Sequence, residues 1–142
     1  MKSIKKAIVK MTILSALSVM PLAAQIRDGV DFKTSFPFYA GNATMPAGSY
    51  KLTRADFDAN VLLIESTDGS NHSAFIDFQP TQAEQRHVQS DVTFHKYGNT
   101  EYLNRIWVEG ETYGMKVEPT KAEQKAASVS TLEEHSLTAS KR

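Results

Sequence analysis

Side chains that could bind or react with a ligand are concentrated in residues 91–109 of this 142-residue chain. An imidazole beside phenols can act as a general base, or can hold a polar ligand with aromatic support. The same arrangement is also typical of a solvent-exposed sheet face, on which aromatic cross-strand pairs contribute about 0.2–1 kcal/mol each. We predict no catalytic residue, and the candidate ligand-binding residues are His95, Tyr97, Tyr102, Arg105 and Trp107.

A tight turn at Gly98-Asn99 is expected to position these side chains. Two β-rich runs flank that dipeptide, and glycine supplies the positive φ that a primed hairpin turn needs. Regular alternation then puts His95, Tyr97 and Tyr102 on one face of the hairpin. The opposite face is expected to carry Val92, Phe94, Leu103, Arg105 and Trp107.

Arg105 is unusual because regular alternation places it among apolar side chains. Its guanidinium could pair with a buried acid, stack on Trp107 or clamp an anionic ligand that enters the interior. Alternatively, Arg105 lies at the rim of the sheet with its aliphatic stem buried. The sequence leaves these four placements open.

The sequence lacks the residue patterns of common metal, nucleotide and hydrolase sites. Its four histidines are scattered and it has no cysteine, whereas structural zinc sites use closely spaced histidine and cysteine ligands. It also has no Gly-x-Ser-x-Gly elbow, no phosphate-binding loop and no His-Glu-x-x-His run. We therefore expect no metal, no cofactor and no enzymatic activity.

Residues 1–24 have the composition of a secretory signal peptide. Four lysines lie within the first ten residues, an apolar run follows over residues 11–22, and Ala23-Ala24 offers small residues for cleavage. The apolar run is shorter than the roughly 20 residues that a membrane-spanning helix needs. We expect export to the periplasm or the cell exterior, with no stable membrane span after cleavage.

Loss of residues 1–24 would change the charge of the protein. It would leave 142 − 24 = 118 residues, with 16 − 4 = 12 basic side chains against 16 acidic ones, a net charge near −4. A mildly acidic domain lacks the basic surface that nucleic acids and anionic lipids require. Without cysteine, the fold must depend on packing rather than on disulfides.

Short runs of alternating apolar residues dominate the sequence after the signal segment. Such runs, separated by turn residues, predict an all-β antiparallel domain over residues 25–118, either a small barrel or a sandwich of about 7–8 strands. The pattern does not choose between the two architectures. Seven aromatic residues are enough to fill a small barrel, and they are expected in the core: Phe32, Phe36, Phe38, Phe75, Phe78, Phe94 and Trp107.

The sequence changes character after the last predicted strand. Thr120 followed by Glu123 is a capping-box signature, and helix-forming residues fill positions 121–127. Residues 128–142 are polar, which is typical of a loose tail. Residues 119–142 are thus predicted to form a short C-terminal helix and a polar tail.

Five short runs, in order along most of the chain after residue 24, point to a known family. They are Phe-Pro-Phe-Tyr-Ala-Gly-Asn at 36–42, Met-Pro-Ala-Gly-Ser-Tyr at 45–50, Phe-His-Lys-Tyr-Gly at 94–98, Tyr-Leu-Asn-Arg-Ile-Trp at 102–107 and Thr-Lys-Ala-Glu at 120–123. Together they resemble a family of small uncharacterised exported proteins from Gram-negative soil bacteria. Met45 stands where the family favours leucine, and Thr120 where it favours serine. The resemblance implies export and a compact β domain, and it carries over no activity.

Three functions are open on this sequence. The favoured one is a non-catalytic secreted or periplasmic β domain, a structural or interaction module with a filled interior and an unknown envelope or extracellular partner. The second is a barrel that carries a small apolar or amphipathic ligand, which needs an enclosed cavity of roughly 300 Å³ or more. The third is a hydrolase-type enzyme using His95, which needs a carboxylate within hydrogen-bonding reach of the imidazole and a concave site beside it.

Overall fold

Ten strands and one short helix form in residues 29–141, the part of the chain that this computed structural model describes. The predicted signal peptide lies outside these residues. The strands are β1 (Val30–Thr34), β2 (Phe38–Ala40), β3 (Ala43–Met45), β4 (Gly48–Arg54), β5 (Val61–Ser66), β6 (Ser73–Gln82), β7 (Ser90–Tyr97), β8 (Thr100–Trp107), β9 (Tyr113–Val117) and β10 (Leu132–Lys141), and the helix is α1 (Lys121–Val129).

Eight of these strands close into an antiparallel barrel. Their order around the barrel is β8–β7–β10–β1–β4–β5–β6–β9, and β9 pairs with β8 to complete the ring, with Ile106 opposite Met115. Closing a sheet on itself removes the free edges that an open sheet exposes. The prediction of an all-β antiparallel domain with a short C-terminal helix is confirmed, and its architecture is a barrel.

Strands β2 and β3 form a hairpin that extends the wall beside β8. β2 runs parallel to β8 with Tyr39 opposite Tyr102, whereas β9 pairs with the second half of β8, from Arg105 to Trp107. Gly41 adopts a φ of 60° in the hairpin turn, a conformation that glycine reaches without steric cost. The hairpin therefore brings a third tyrosine to the predicted site.

Aromatic side chains fill the middle of the barrel. The Phe94 ring lies edge-on to Phe36 and Phe38, at 5.1 Å and 5.3 Å between centroids, and Tyr50 lies edge-on to Phe38 at 5.3 Å. Pairs of this geometry contribute about 0.5–1.5 kcal/mol beyond the burial of their area. The largest fully buried side chains are Tyr50, Phe38, Phe94, Met45, Leu52, Leu62, Ile64, Ile76, Leu103, Ile106, Val30 and Val92.

Two of the seven aromatic residues predicted for the core lie elsewhere. Phe75 is 60 % exposed and stacks edge-on with the exposed Phe57, because on β6 it alternates with the buried Ile76. Trp107 is buried but is not part of the interior cluster. The prediction is wrong for Phe75 and Trp107. Phe36, also predicted for the core, is partly buried and packs against the cluster.

A β-bulge in β8 interrupts the regular alternation of its side chains. Opposite β7, the register passes from Phe94 paired with Leu103 to Thr93 paired with Arg105, so Asn104 is an extra residue on β8. One extra residue reverses which side chains of the strand point inwards. The second half of β8 therefore faces the opposite way from the regular pattern.

This reversal corrects the predicted placement of Arg105 and Trp107. Val92 is fully buried and lies opposite Ile106, which is also fully buried, so both point into the barrel. Arg105 and Trp107 flank Ile106 and point to the outer side. The prediction that they share the inner face is wrong, because regular alternation does not allow for a bulge.

The predicted polar tail is also wrong. β10 (Leu132–Lys141) lies between β7 and β1 and is one of the eight barrel strands, so the β domain does not end at residue 118. Leu137 of β10 lies opposite Val92 and packs on the core, while most other side chains of the strand are exposed. Backbone hydrogen bonds to β7 and β1 hold this strand in place. Because few of its side chains are apolar, the sequence did not predict a strand here.

The predicted C-terminal helix is confirmed as α1. The Thr120 hydroxyl caps its first turn by accepting a hydrogen bond from the backbone N–H of Glu123 at 3.2 Å. Among the helix residues, only Glu123 is buried. The helix thus contacts the barrel through a carboxylate rather than through an apolar stripe.

Phe94→Ala should destabilise the protein by about 3–5 kcal/mol, because it removes a fully buried ring and leaves a cavity. Phe75→Ala is the matched control, since it deletes the same atoms from an exposed position and should cost less than about 1 kcal/mol. Urea unfolding followed by circular dichroism measures both. Equal losses for the two variants would contradict the inward placement of Phe94.

Candidate functional site

The five predicted site residues fall into two groups on the outer side of the barrel. His95 and Tyr97 on β7 lie beside Tyr102 on β8. Tyr39 from β2 and Glu123 from α1 join this group, and we call these five residues the tyrosine–histidine face. Arg105 and Trp107 lie farther along β8, in what we call the Trp107 cluster with His87 and Gly114.

Three tyrosine rings form the aromatic part of the tyrosine–histidine face. Tyr39 stacks on Tyr102 at 5.3 Å with an interplanar angle of 18°, and Tyr97 lies edge-on to Tyr102 at 6.0 Å. The His95 ring lies edge-on to Tyr97 at 6.3 Å. The prediction that His95, Tyr97 and Tyr102 share one face is therefore confirmed.

His95 lies between two carboxylates from different elements. Its Nε2 is 2.9 Å from Oε2 of Glu134 on β10, and its Nδ1 is 3.9 Å from Oε1 of Glu123 on α1. Glu134 is exposed, whereas Glu123 is only 7 % exposed. The imidazole thus links β7 to the helix and to the last strand.

Burial is the main cause of the pKa shifts of Glu123, Tyr97 and Tyr102. Desolvation raises the pKa of Glu123, and the positive charges of His95 and Lys116 offset part of that rise. Burial also raises the pKa of Tyr97 and of Tyr102, and the negative charge of Glu123 adds to both shifts. Glu123 is therefore close enough to both phenols to interact with them electrostatically.

The capping box predicted at Thr120 and Glu123 is only half formed. Thr120 accepts the backbone N–H of Glu123, but within the described residues the Glu123 carboxylate makes no hydrogen bond back to the helix N-terminus. It faces His95 instead. The sequence pattern predicted that Glu123 caps the helix N-terminus, whereas in the structure its carboxylate points towards the barrel.

Trp107 contacts a histidine from the loop before β7 and an arginine from its own strand. The His87 ring stacks on the indole at 4.2 Å with an interplanar angle of 13°, and the Arg105 guanidinium lies 5.6 Å from it. His87 also lies 3.7 Å from a carboxylate oxygen of Asp91; burial raises the pKa of Asp91, and the charge of His87 opposes that rise. Of the four placements considered for Arg105, the structure shows stacking on Trp107.

A third histidine–carboxylate pair lies on the inner side of the barrel wall. His135 Nε2 is 2.7 Å from Oε2 of Glu101, which is 6 % exposed, and the His135 ring lies 5.3 Å from Phe36. The sequence analysis did not single out this pair. Its residues are 34 positions apart, and only the position of β10 beside β7 brings them together.

The chemistry of His95 follows from its partners. Glu134 provides the carboxylate that the hydrolase hypothesis requires within hydrogen-bonding distance of His95. Among the described residues, Glu134 is the hydrogen-bond partner of that ring, so no serine, threonine or cysteine is aligned with it as a nucleophile. The tyrosine–histidine face has the groups of a polar binding surface: three phenols, an imidazole and a buried carboxylate.

Comparisons with protein-family models, with curated proteins and with solved structures found no match to this chain. The resemblance to small exported β-domain proteins therefore stays a prediction. Within residues 29–141, no group of three or more side chains suited to a metal ion lies together. In the same residues, no helix has the length and apolar character needed to cross a bilayer.

Glu123→Gln should make the protein more stable than wild type at neutral pH, and the difference should shrink on acidification. The pKa of Glu123 is raised in the folded state, so its contribution to stability is fully present below the unfolded pKa of about 4.3 and is lost as pH rises through the folded pKa. Glutamine does not titrate. Unfolding free energies measured in urea at several pH values between about pH 4 and pH 7 give this difference.

Glu84→Gln is the matched control for that series, because it makes the same change at an exposed loop position. Its difference from wild type should stay flat with pH. A flat difference for Glu123→Gln would contradict the burial of an ionisable Glu123.

Gly114→Ala should destabilise the protein by about 1–3 kcal/mol. An added Cβ would overlap the Trp107 ring and lie 2.7 Å from the Ile106 carbonyl oxygen. The indole would have to leave its buried position, so its fluorescence emission should shift to longer wavelength. Unchanged stability together with unchanged emission would contradict the tight contact between β9 and Trp107.

Proposed function

We propose that the protein is an exported, non-catalytic β-barrel domain that acts as a structural or interaction module through its outer surface. The observation that carries this proposal is the filling of the barrel interior by the protein's own side chains. The tyrosine–histidine face is the part of the outer surface best equipped for recognition. Its partner would be an envelope or extracellular component.

The packed interior favours this role over that of a carrier. In the middle of the barrel, the Phe38 ring centroid lies 5.3 Å from that of Tyr50 and 5.3 Å from that of Phe94, and each of the three residues is at most 2 % exposed. A carrier of a small apolar ligand needs roughly 300 Å³ or more of enclosed space. An apolar ligand could enter only by displacing rings that stabilise the fold.

The surroundings of His95 favour a non-catalytic role. A histidine that acts as a general base has one nitrogen oriented by a carboxylate and the other directed at a nucleophile or a substrate proton. Here Nε2 bonds to Glu134, and Nδ1 faces the carboxylate of Glu123. The group opposite Nδ1 is thus a second proton acceptor, which suits binding better than nucleophilic catalysis.

Features of the sequence support export. A basic start, an apolar run of 12 residues and two alanines precede the barrel, as in secretory signal peptides. The absence of cysteine makes the fold independent of the redox state of its compartment. A net charge near −4 after loss of residues 1–24 gives the domain no attraction for nucleic acid.

Native mass spectrometry of the protein purified from its own host should give a mass that is unchanged by unfolding and refolding in clean buffer. The interior is already full, so refolding has no apolar ligand to remove. A stoichiometric added mass that disappears on refolding would show a bound small molecule. That result would overturn the proposal in favour of the carrier hypothesis.

Photo-crosslinking in the host tests the outer surface directly. A photoreactive residue at position 97 should cross-link to a partner, because Tyr97 lies on the tyrosine–histidine face and is partly exposed. The same residue at position 84, an exposed loop site, is the control and should give no matching product. Identical products from both positions, or none from position 97, would contradict recognition through this face.

A further inference from the structure

We infer that the outer face of β5 and β6 docks a partner protein through a positively charged segment that carries apolar side chains. The apolar part of this surface consists of Phe57, Leu63 and Phe75, and we call it the Phe57–Phe75 patch. In the ring of eight strands, β5 is four strands away from β7 in either direction. The patch is therefore separate from the tyrosine–histidine face, and it goes beyond the function proposed for that face.

Regular alternation along β5 and β6 places the patch on the outside of the barrel. Leu63 lies between the fully buried Leu62 and Ile64. Phe75 precedes the buried Ile76 on β6. Leu63 and Phe75 are opposite each other in the antiparallel pairing of the two strands, so their side chains are neighbours on the same outer face.

The loop between β4 and β5 adds a second aromatic ring to the patch. The Phe57 ring lies edge-on to that of Phe75 with centroids 5.1 Å apart, although Phe57 is 70 % exposed and Phe75 is 60 % exposed. Two backbone hydrogen bonds hold this loop, from the Ala55 N–H to the Val61 carbonyl at 2.8 Å and from the Val61 N–H to the Asp58 carbonyl at 3.4 Å. The loop presents the ring in a defined position, which reduces the entropy lost when a partner binds.

An exposed apolar cluster of this kind is typical of an interaction site. Phe57 and Phe75 leave most of their ring surface in water, so they contribute little to the free energy of folding. Of the large hydrophobic side chains exposed in residues 29–141, these two are the pair in ring contact. Aromatic side chains such as phenylalanine are enriched in protein–protein interfaces, so the pair is suited to be covered by a partner protein.

Carboxylates surround the patch. Asp56 and Asp58 flank Phe57 in the chain, and both are exposed. Asp77 lies two residues after Phe75 on the same face of β6 and is exposed as well. Polar and charged groups at the rim of an apolar patch determine which partners it accepts. Three negative charges at this rim favour a partner with positive charges around its apolar side chains.

Three cations belong to β4, β5, β6 and β9, and each has other contacts. Lys51 on β4 lies 3.5 Å from Glu65 on β5, so these two charges offset each other. The Arg54 guanidinium lies over the ring of the buried Phe78, 5.8 Å from its centroid. Lys116 on β9 interacts with the buried carboxylate of α1. The patch therefore keeps an excess of negative charge.

This charge distinguishes among three kinds of occupant. Anionic lipid headgroups would be repelled by the three carboxylates. A second copy that docked through the same patch would bring like charges together, because a two-fold interface pairs each surface with itself. Lysine or arginine side chains beside apolar ones fit both parts of the surface, since the apolar side chains cover the rings and the cations approach the carboxylates.

The test is an NMR titration of the protein, labelled with ¹³C-phenylalanine, with the peptide acetyl-Lys-Phe-Lys-Phe-Lys-amide at neutral pH and low ionic strength. The ring signals of Phe57 and Phe75 should shift and saturate, with a dissociation constant of roughly 1 mM for so short a ligand. The fully buried Phe94 provides an internal control whose signal should not move. A peptide with glutamate in place of each lysine should bind at least about tenfold more weakly, because its charges are repelled.

Phe75→Ala should weaken binding of the lysine peptide by about tenfold or more, as followed by the Phe57 signal, because it removes half of the aromatic pair. Tyr113→Ala is the matched control, since it removes an exposed aromatic side chain from β9, outside the patch. It should bind the peptide as wild type does.

Asp56→Asn combined with Asp77→Asn should weaken binding of the lysine peptide by about three- to tenfold, because two exposed charges at the rim are lost. Glu84→Gln combined with Glu109→Gln removes the same charge from exposed loop positions. This control should leave the affinity unchanged.

The inference is overturned if the Phe57 and Phe75 signals do not saturate, if the glutamate peptide binds equally well, or if Phe75→Ala binds with unchanged affinity. Pelleting of the protein with phosphatidylglycerol vesicles that Phe75→Ala abolishes would overturn it in favour of a lipid surface. A dimer in sedimentation that Phe75→Ala abolishes would overturn it in favour of a second copy. Each of these results would leave the proposed function standing, since cross-linking at position 97 tests that function on a different side of the barrel.

Discussion

The packing of Phe94 is the interaction on which the structure most depends. Its ring lies 5.1–6.3 Å from the rings of Phe32, Phe36 and Phe38, and 6.1 Å from that of His135. These side chains come from the beginning and the end of the described chain, so the Phe94 ring packs together segments that are far apart in the sequence. Since neighbours in a strand point to opposite faces, the inward position of Phe94 also fixes His95 on the outside.

The outer surface near His95 is built from additions to the barrel wall. β2 contributes Tyr39, α1 contributes Glu123 and β10 contributes Glu134. Each comes from a different part of the sequence, and each approaches a side chain of the hairpin formed by β7 and β8. The part of the barrel wall that α1 covers is lined by an imidazole and phenols. These polar groups explain why the helix packs on the barrel through a carboxylate.

The sequence predicted the features that depend on local pattern. The turn at Gly98-Asn99, the alternation that buries Phe94 and the Thr120 cap are each determined by a few adjacent residues, and all three are present. The bulge at Asn104 was not predictable, because no residue type in β8 marks the position of the extra residue. The predicted orientation of Arg105 was wrong because of this bulge.

Long-range pairings account for the other differences. β10 has few apolar side chains, so its sequence does not show the alternation of a barrel strand. Its backbone pairing with β7 and β1 holds it in the barrel wall. The pairs His95–Glu134 and His135–Glu101 depend on that pairing. The approach of Glu123 to His95 depends on the path of α1 across the barrel. No local spacing encodes these contacts.

The view that recognition takes place on the outside depends on a barrel whose interior is occupied by its own side chains. X-ray diffraction from crystals held under xenon pressure tests it most directly, because xenon enters apolar cavities that are large enough to hold it. We expect no xenon site among Phe38, Tyr50 and Phe94. A well-occupied xenon site between these rings would contradict the account, because it would reveal room for an apolar ligand where the structure places tightly packed side chains.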